Sequence, residues 1–195
     1  MHQASENYAK LESLLCATYT LNRDSLDQLF EKIEFRSYAA REVIFAAGKL
    51  VRHIYFLLDG YSRAYTLQSD REVSIWFGGP GDVLWSYQST IESKPGYETM
   101  EMVSRGTLAI LPVAELHRLY QTNIQIANWG RILVERELIK TERRLIQNTN
   151  LTAQEKYTTL VQEYPDWILH IPQKHLASYL GISPETYSLL KSKLR

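Results

Sequence analysis

Cysteine is almost absent from this sequence of 195 residues, and its scarcity removes several kinds of site. The one thiol, Cys16, allows no internal disulfide and no four-cysteine zinc or iron–sulfur centre, so we assign it to a buried helix position. The five histidines lack the His-x-His pair of metal-dependent jelly-roll enzymes, because His53 and His117 stand alone. We therefore predict no metal site.

Long apolar runs and catalytic signatures are absent as well. No run approaches the roughly 20 residues of a membrane span, and the N-terminal MHQASENYAK lacks the basic head and apolar core of a secretion signal. The chain carries no Gly-rich phosphate loop, no Ser-His-Asp order and no catalytic cysteine context. These absences predict a cytoplasmic protein that is not an enzyme, has no catalytic residue and has no membrane partner.

Net charge is zero overall, but its distribution along the chain is uneven. Residues 1–112 hold 11 Lys or Arg against 14 Asp or Glu, whereas residues 171–195 hold 4 against 1. Positive charge thus collects at the C-terminal end, where nucleic-acid phosphates would need it. Because the excess is small, we expect a monomer to bind DNA weakly and two linked copies to bind it better.

The C-terminal stretch with this charge has the pattern of a helix, a tight turn and a second helix. Gly181 stands where a helix needs a left-handed C-terminal residue, Ser183 supplies an N-cap oxygen, and Pro184 takes the first position of the second helix. A recognition helix would lay its outer face into a DNA major groove, whereas a packed helical hairpin would show the same apolar spacing. The inner face has Tyr187, Leu190 and Leu194, and the outer face has Glu185, Ser188, Leu189 and Ser192.

Upstream, the pattern changes from helix to strand and back to helix. Apolar residues recur every three to four positions over residues 5–33, with a break at Asn22 to Asp24. Short β-prone runs with turns about every 8 to 12 residues follow, and they predict a barrel or jelly roll that ends at Pro112. These runs are Glu42–Phe45, His53–Leu58, Ser62–Leu67, Glu72–Phe77, Met100–Val103 and Thr107–Leu111.

A long helix follows the β section and its short trailing helix, Val113–Tyr120. Thr122 or Asn123 can cap it, and it reaches about Gln147 with apolar residues on two faces. One face can pack on the β section while the other meets the same helix of a second subunit. A helix buried between two layers of one monomer would show the same pattern. The many charged residues between Glu135 and Arg144 favour the homodimer.

We therefore predict an α+β chain of three parts. Residues 1–121 form a β-roll with N-terminal helices, residues 122–148 form a dimerisation helix, and residues 149–195 form a helix-turn-helix domain of three helices. Within the last part, Thr152 and Glu155 form a capping box that opens a helix ending near Tyr164. Asp166 to His170 are interpreted as a linker.

On these features the whole chain resembles the Crp/Fnr-type regulators, the family of the catabolite activator protein and the fumarate and nitrate reduction regulator. The most specific match is ASYLGISPET at residues 177–186, supported by Gly60 in LLDGYSRAY and by Pro80-Gly81-Asp82. The chain is similar to the shorter members of this family that are common among Bacteroidetes-like bacteria. The resemblance implies an eight-stranded jelly-roll of the cyclic-nucleotide-binding type, and a homodimeric transcription regulator of a palindromic site in double-stranded DNA. RNA polymerase is a further candidate partner.

The ligand cassette departs from the family pattern, which is Phe-Gly-Glu-x-Ala-Leu followed by Arg-Ser or Arg-Thr. The corresponding stretches are Leu84–Ser89 and Tyr97-Glu98, where no arginine awaits a phosphate and Glu98 would repel one. We expect poor binding of cAMP and cGMP. An effector pocket for a neutral or aromatic molecule could persist, or the aromatic rings could fill the space. Its candidate residues are Trp85, Ser86, Tyr87, Tyr97, Thr99 and Thr141.

Matching the helix-turn-helix position by position gives a set of candidate DNA contacts. Glu185 stands where the family reads a cytosine edge, and Leu189 replaces the Arg that usually reads guanine. The basic side chains would contact phosphates or form a solvated face. The loss of that Arg also leaves open a degenerate member that acts through protein contacts alone. The candidate set is Lys174, His175, Ser183, Glu185, Thr186, Ser188, Leu189, Lys191 and Ser192.

Overall fold

The structure, a computed structural model, describes residues 2–69 and 71–193. Its fold is α+β, as predicted: two helices precede a two-sheet β-roll, and helices form the remainder. Leu194, which the sequence places on the inner face of the last helix, lies outside the described residues. None of the helices in the described ranges is both long and apolar enough to span a membrane.

The N-terminal helices, α1 (His2–Thr18) and α2 (Arg23–Phe30), break where the sequence predicts. The side-chain oxygen of Asn22 accepts a hydrogen bond from the backbone N–H of Ser25 at 2.9 Å and so caps α2. Leu11 and Leu15 of α1 are fully buried in the core that the helices share with the β-roll. This packing closes one outer side of the roll.

The β-roll consists of two antiparallel four-stranded sheets. One sheet has the order β1-β8-β3-β6, and the other has the order β2-β7-β4-β5. The strands are β1 (Glu34–Tyr38), β2 (Val43–Phe45), β3 (His53–Leu57), β4 (Ser62–Gln68), β5 (Arg71–Gly78), β6 (Val83–Leu84), β7 (Thr99–Met102) and β8 (Gly106–Pro112). Side chains that alternate inward, among them Leu57, Met100 and Leu108, fill the space between the sheets.

Three elements of the roll were not predicted individually. Strand β1 is mostly exposed and lacks an apolar alternation, and β6 spans only two residues, so neither has a sequence signal. A short helix, α3 (Tyr87–Glu92), crosses between β6 and β7. This helix occupies the stretch in which the sequence analysis places the ligand cassette.

The long helix α5 (Ile124–Asn150) follows α4 (Val113–Thr122), and Asn123 caps it through a hydrogen bond from the backbone N–H of Gln125 at 3.0 Å. Its N-terminal half is buried against the roll and α1, where the indole N–H of Trp129 donates to the carbonyl of Leu15 at 3.1 Å. Its C-terminal half leaves apolar side chains exposed. The chain therefore covers the N-terminal half of α5 and leaves the apolar residues on both faces of its C-terminal half exposed.

The C-terminal helices are α6 (Ala153–Glu163), α7 (Pro165–His170), α8 (Gln173–Leu180) and α9 (Pro184–Lys193). The capping box of Thr152 and Glu155 is confirmed. The interpretation of residues 166–170 as a linker is wrong, because Pro165 starts a helix at its first position instead of only ending the one before. Burial of Trp167 in the C-terminal core stabilises this extra helix.

Candidate nucleic-acid interface and effector site

The helix-turn-helix has the local geometry that its sequence predicts. Gly181 adopts the left-handed conformation at φ 69°, and the Ser183 hydroxyl accepts a hydrogen bond from the Thr186 N–H at 3.1 Å. Tyr187 and Leu190 are buried in the helical core. Four of the exposed side chains of α9 line one outer face, namely Glu185, Ser188, Leu189 and Ser192.

The polar groups of this face differ in how free they are. Hydrogen bonds from its own backbone N–H and from the Ser183 side chain lower the pKa of Glu185, which therefore carries an ionised acceptor at neutral pH. Thr186 shares its hydroxyl with Ser183 at 3.1 Å, and Ser192 donates to the Leu189 carbonyl at 2.8 Å. Of the two candidate phosphate contacts, Lys174 is exposed and Lys191 is half-buried.

His175 is turned away from this face and toward the β-roll. Its Nδ1 lies 2.7 Å from Nη1 of Arg63, a side chain of β4 that is only 3% exposed. Burial, followed by the positive charges of Arg63 and Lys174, lowers the pKa of His175 to about 4. In this arrangement the ring is neutral and accepts from Arg63, so we do not include it among the proposed phosphate contacts.

Acidic pH is expected to weaken this contact. Because the folded-state pKa of His175 is below its ordinary value of 6.5, its neutral form stabilises the fold fully above pH 6.5, and the stability is lost as the pH falls toward 4. Thermal unfolding from pH 7.5 to 5.0 measures the effect. His175→Asn keeps an acceptor and does not titrate, so its Tm should fall less with acid than that of the wild type. Equal slopes would contradict the assignment.

Helix α8 is fixed to strand β5 by further contacts around this arginine. The Ser178 hydroxyl accepts from the Ser74 N–H at 3.0 Å and lies 3.3 Å from the Glu72 carbonyl that it donates to. Phe77 of β5 packs with Trp167 and is part of the C-terminal core. The helix-turn-helix and the β-roll are therefore joined through both polar and apolar contacts.

The candidate effector residues differ in burial and in the hydrogen bonds that they form. Trp85 and Tyr87 stack with ring centroids 5.5 Å apart, and Ser86 between them is fully buried. Tyr97 is largely exposed, and the Thr99 hydroxyl accepts from the Ala47 N–H at 3.1 Å. Thr141 is exposed on α5, where its hydroxyl donates to the Glu137 carbonyl at 2.9 Å.

Three residues of the α8 contact and of the surroundings of Ser86 have no signal in the sequence. Thr90 and Gly96 lie beside the buried Ser86, and no motif marks them. Arg63 belongs to an unremarkable strand, and only the fold brings it to α8. Within residues 2–69 and 71–193, no group of three or more His, Cys, Asp or Glu is arranged to hold a metal ion.

Comparison with known proteins identifies the class of fold first. Residues 35–123 match the family model of the cyclic nucleotide-binding domain. FixK2 from Bradyrhizobium japonicum is 24% identical, with a TM-score of 0.74 over 83% of this chain and 84% of that one. The catabolite activator protein of Thermus thermophilus is 20% identical, with a TM-score of 0.58 over 90% and 84%. The chain thus shares the fold of FixK2 and of this catabolite activator protein.

A curated relative adds a more particular similarity. The anaerobic regulatory protein of Haemophilus influenzae is 26% identical over 195 aligned positions, which cover 94% of this chain and 76% of the relative. The chain therefore resembles an anaerobic regulatory protein over nearly its whole length.

Proposed function

We propose that the protein is a homodimeric DNA-binding transcription regulator whose β-roll senses a small molecule other than cAMP. The observation that carries the proposal is the outer face of α9, which is exposed and polar and begins with an ionised carboxylate at Glu185. The similarity of most of the chain to regulatory proteins supports the same proposal. Membership of the short Bacteroidetes-like subgroup and a contact with RNA polymerase stay predictions.

The proposed DNA contacts divide by chemistry. Glu185, Ser188, Leu189 and Ser192 would face base edges, because they line the side of α9 opposite its buried residues. Lys174 and Lys191 would contact phosphates and set orientation without specifying sequence. Ser183 and Thr186 would hold the start of α9 through their mutual hydrogen bond and the N-cap.

The proposed dimer uses the exposed stripe of α5. Leu138 and Leu145 are seven residues apart and each 66% exposed, and Ile139 and Ile146 flank them. A heptad spacing keeps these side chains on one seam, and burying them against the same helix of a second copy removes apolar surface from water. A two-fold dimer would present two recognition helices to a palindromic site.

Selection of bound sequences from random double-stranded DNA tests the proposal. We expect a two-fold symmetric motif with half-sites about one helical turn, roughly 10 base pairs, apart. No enrichment at low salt would contradict DNA binding and favour the second candidate, a family member that acts through protein contacts. The observation that favours this alternative is that Leu189, an aliphatic side chain on the outer face, is 54% exposed.

Replacing Glu185 by alanine is expected to change which base is preferred at one position of each half-site. A carboxylate accepts from the cytosine N4 donor, and losing it should reduce discrimination there by about 1–3 kcal/mol. Repeating the selection measures the change. Lys191→Glu provides the contrast, since it should weaken binding to all sequences and lower the salt dependence. An unaltered motif with Glu185→Ala would mean that this face of α9 does not read bases.

A further inference from the structure

Buried polar atoms without a hydrogen-bond partner are concentrated around α3. Within the described part of the chain, four of them belong to residues 85–98: Trp85 Nε1, Ser86 Oγ, Thr90 Oγ1 and Glu98 Oε2. Ser86 is 0% exposed, Thr90 is 4% exposed and Glu98 is 6% exposed. Proteins pair roughly 90% or more of such groups, because an unpaired one destabilises the folded state. Four in one short stretch indicate a binding site for a further group.

Two of these side chains converge on one glycine. A Cβ atom placed on Gly96 would lie 2.5 Å from the Ser86 hydroxyl and 3.3 and 3.4 Å from the two oxygens of Glu98. The hydroxyl and the carboxylate therefore lie on the same side of Gly96, across a space that is too narrow for a side chain on that residue. Ser86 is the N-cap residue of α3, yet its side chain makes no capping hydrogen bond. Its hydroxyl is thus available to a ligand.

The backbone fixes the position of this space. The Gly96 N–H donates to the Lys49 carbonyl at 3.1 Å, and the Gly96 carbonyl accepts from the Gly48 N–H at 2.8 Å. On the other side, the Thr90 N–H donates to the Ser86 carbonyl at 3.0 Å. A ligand would therefore meet groups that are already in place, which reduces the entropy lost on binding.

The charge of the site has a definite sign. Glu98 forms no ion pair within the described residues, and the neighbouring cation, Lys94, pairs with Glu92 at the surface at 2.9 Å. Burying a carboxylate without a counter-charge has a free-energy cost. A phosphate would add a second negative charge and worsen the cost. A positively charged hydrogen-bond donor would remove it.

We propose that this Glu98 site (Ser86, Thr90, Gly96 and Glu98) binds the primary ammonium group of a small-molecule effector. An ammonium group has three donors, which suit the Glu98 carboxylate and the Ser86 hydroxyl. The proposal rests on the proposed effector role of the β-roll and names the chemical class of its ligand.

Thermal unfolding with methylamine, phenethylamine and their neutral counterparts methanol and phenethyl alcohol tests the proposal. At millimolar concentrations and constant ionic strength, at least one amine should raise the Tm of the full chain by about 2 °C or more, since a ligand that binds only the folded state stabilises it. The alcohols and cAMP should not. The proposal is overturned if neither amine acts, or if cAMP stabilises more than both amines.

The Glu98→Gln variant tests whether the amines bind at the buried Glu98 or at carboxylates on the surface. Without any ligand this variant should have a higher Tm than the wild type, because it removes an unpaired buried charge, and it should lose the response to amines. Glu92→Gln removes an exposed carboxylate nearby and should keep the response. A lower Tm with Glu98→Gln would overturn the proposal. The selection of bound DNA sequences is carried out without any amine. If it yields a symmetric motif while the Tm does not respond to amines, the ammonium proposal is refuted and the proposed DNA binding is not.

Discussion

Replacing Arg63 by methionine is expected to lower the free energy of unfolding by about 3 kcal/mol. The Arg63 side chain is 3% exposed, and its Nε donates to Glu101 at 2.6 Å. Its other nitrogens bond to Glu72 and to Nδ1 of His175, and its guanidinium lies over the Tyr65 ring. The variant would leave the half-buried Glu101 carboxylate without a counter-charge.

The value lies at the lower end of the range for a broken buried pair, because Glu72 is well exposed and water can replace part of what it loses. For a chain of this length, about 3 kcal/mol corresponds to a decrease in Tm of roughly 6–12 °C. Differential scanning calorimetry measures it. Because Arg63 joins two parts of the chain, the C-terminal helices could also unfold separately, and a second transition would reveal that.

A closely matched control is available in the same roll. Arg36 also pairs with a glutamate, Glu42 at 2.7 Å, and also lies over a tyrosine ring, Tyr38 at 4.5 Å, but its side chain is 60% exposed. Arg36→Met should cost less than about 1 kcal/mol. Adding Glu101→Gln to Arg63→Met should recover part of the lost stability, since it removes the unpaired charge. Equal losses for the two arginine variants would contradict a central role for the Arg63 network.

The features that the sequence predicts well are those whose causes are local. Asn22 caps α2, Thr152 and Glu155 form a capping box, and Gly181 takes the left-handed conformation, because each depends on residues no more than three positions away. The long apolar periodicity of α5 is equally local. Such signals place helices and their ends without knowledge of the tertiary fold.

The features that the sequence could not predict join distant parts of the chain. Arg63 and His175 are 112 positions apart, and only the packing of α8 on β5 brings them together. The Glu98 site similarly needs the chain to return past α3. Helix α7 was missed for another reason: Pro165 can end one helix or start the next, and the burial of Trp167 decides between the two.

The burial of helix α5 depends both on its local sequence and on distant parts of the chain. Its apolar residues on two faces follow from the sequence, but the sequence cannot say which part of the helix the monomer buries. The structure covers the N-terminal half around Trp129 and leaves Leu138 and Leu145 exposed. This exposed apolar stripe is the basis of the proposed dimer, and its heptad spacing favours a helix as the partner.

Replacing both Leu138 and Leu145 by lysine is accordingly expected to convert a dimer into a monomer. Each leucine is 66% exposed in the single chain, and burying one against a partner contributes about 1.5–3 kcal/mol. A dimer buries four of them, and the lysines would in addition repel each other across the seam. The dissociation constant should therefore rise by about a thousandfold or more, which sedimentation equilibrium over a range of concentrations measures.

Leu67 and Leu169 provide the matched control, because they are 67% and 77% exposed and belong to β4 and α7 instead of α5. Their double replacement by lysine should leave the dimer intact. The variant with lysine at 138 and 145 should also lose most of its affinity for a palindromic DNA site. Its Tm should stay within a few degrees of that of the wild type measured at concentrations where the wild type is monomeric, because the two leucines contribute little to the fold of one chain. A variant that stays dimeric would show that the subunits associate through another surface, and a palindromic site would then require a different arrangement of the two recognition helices.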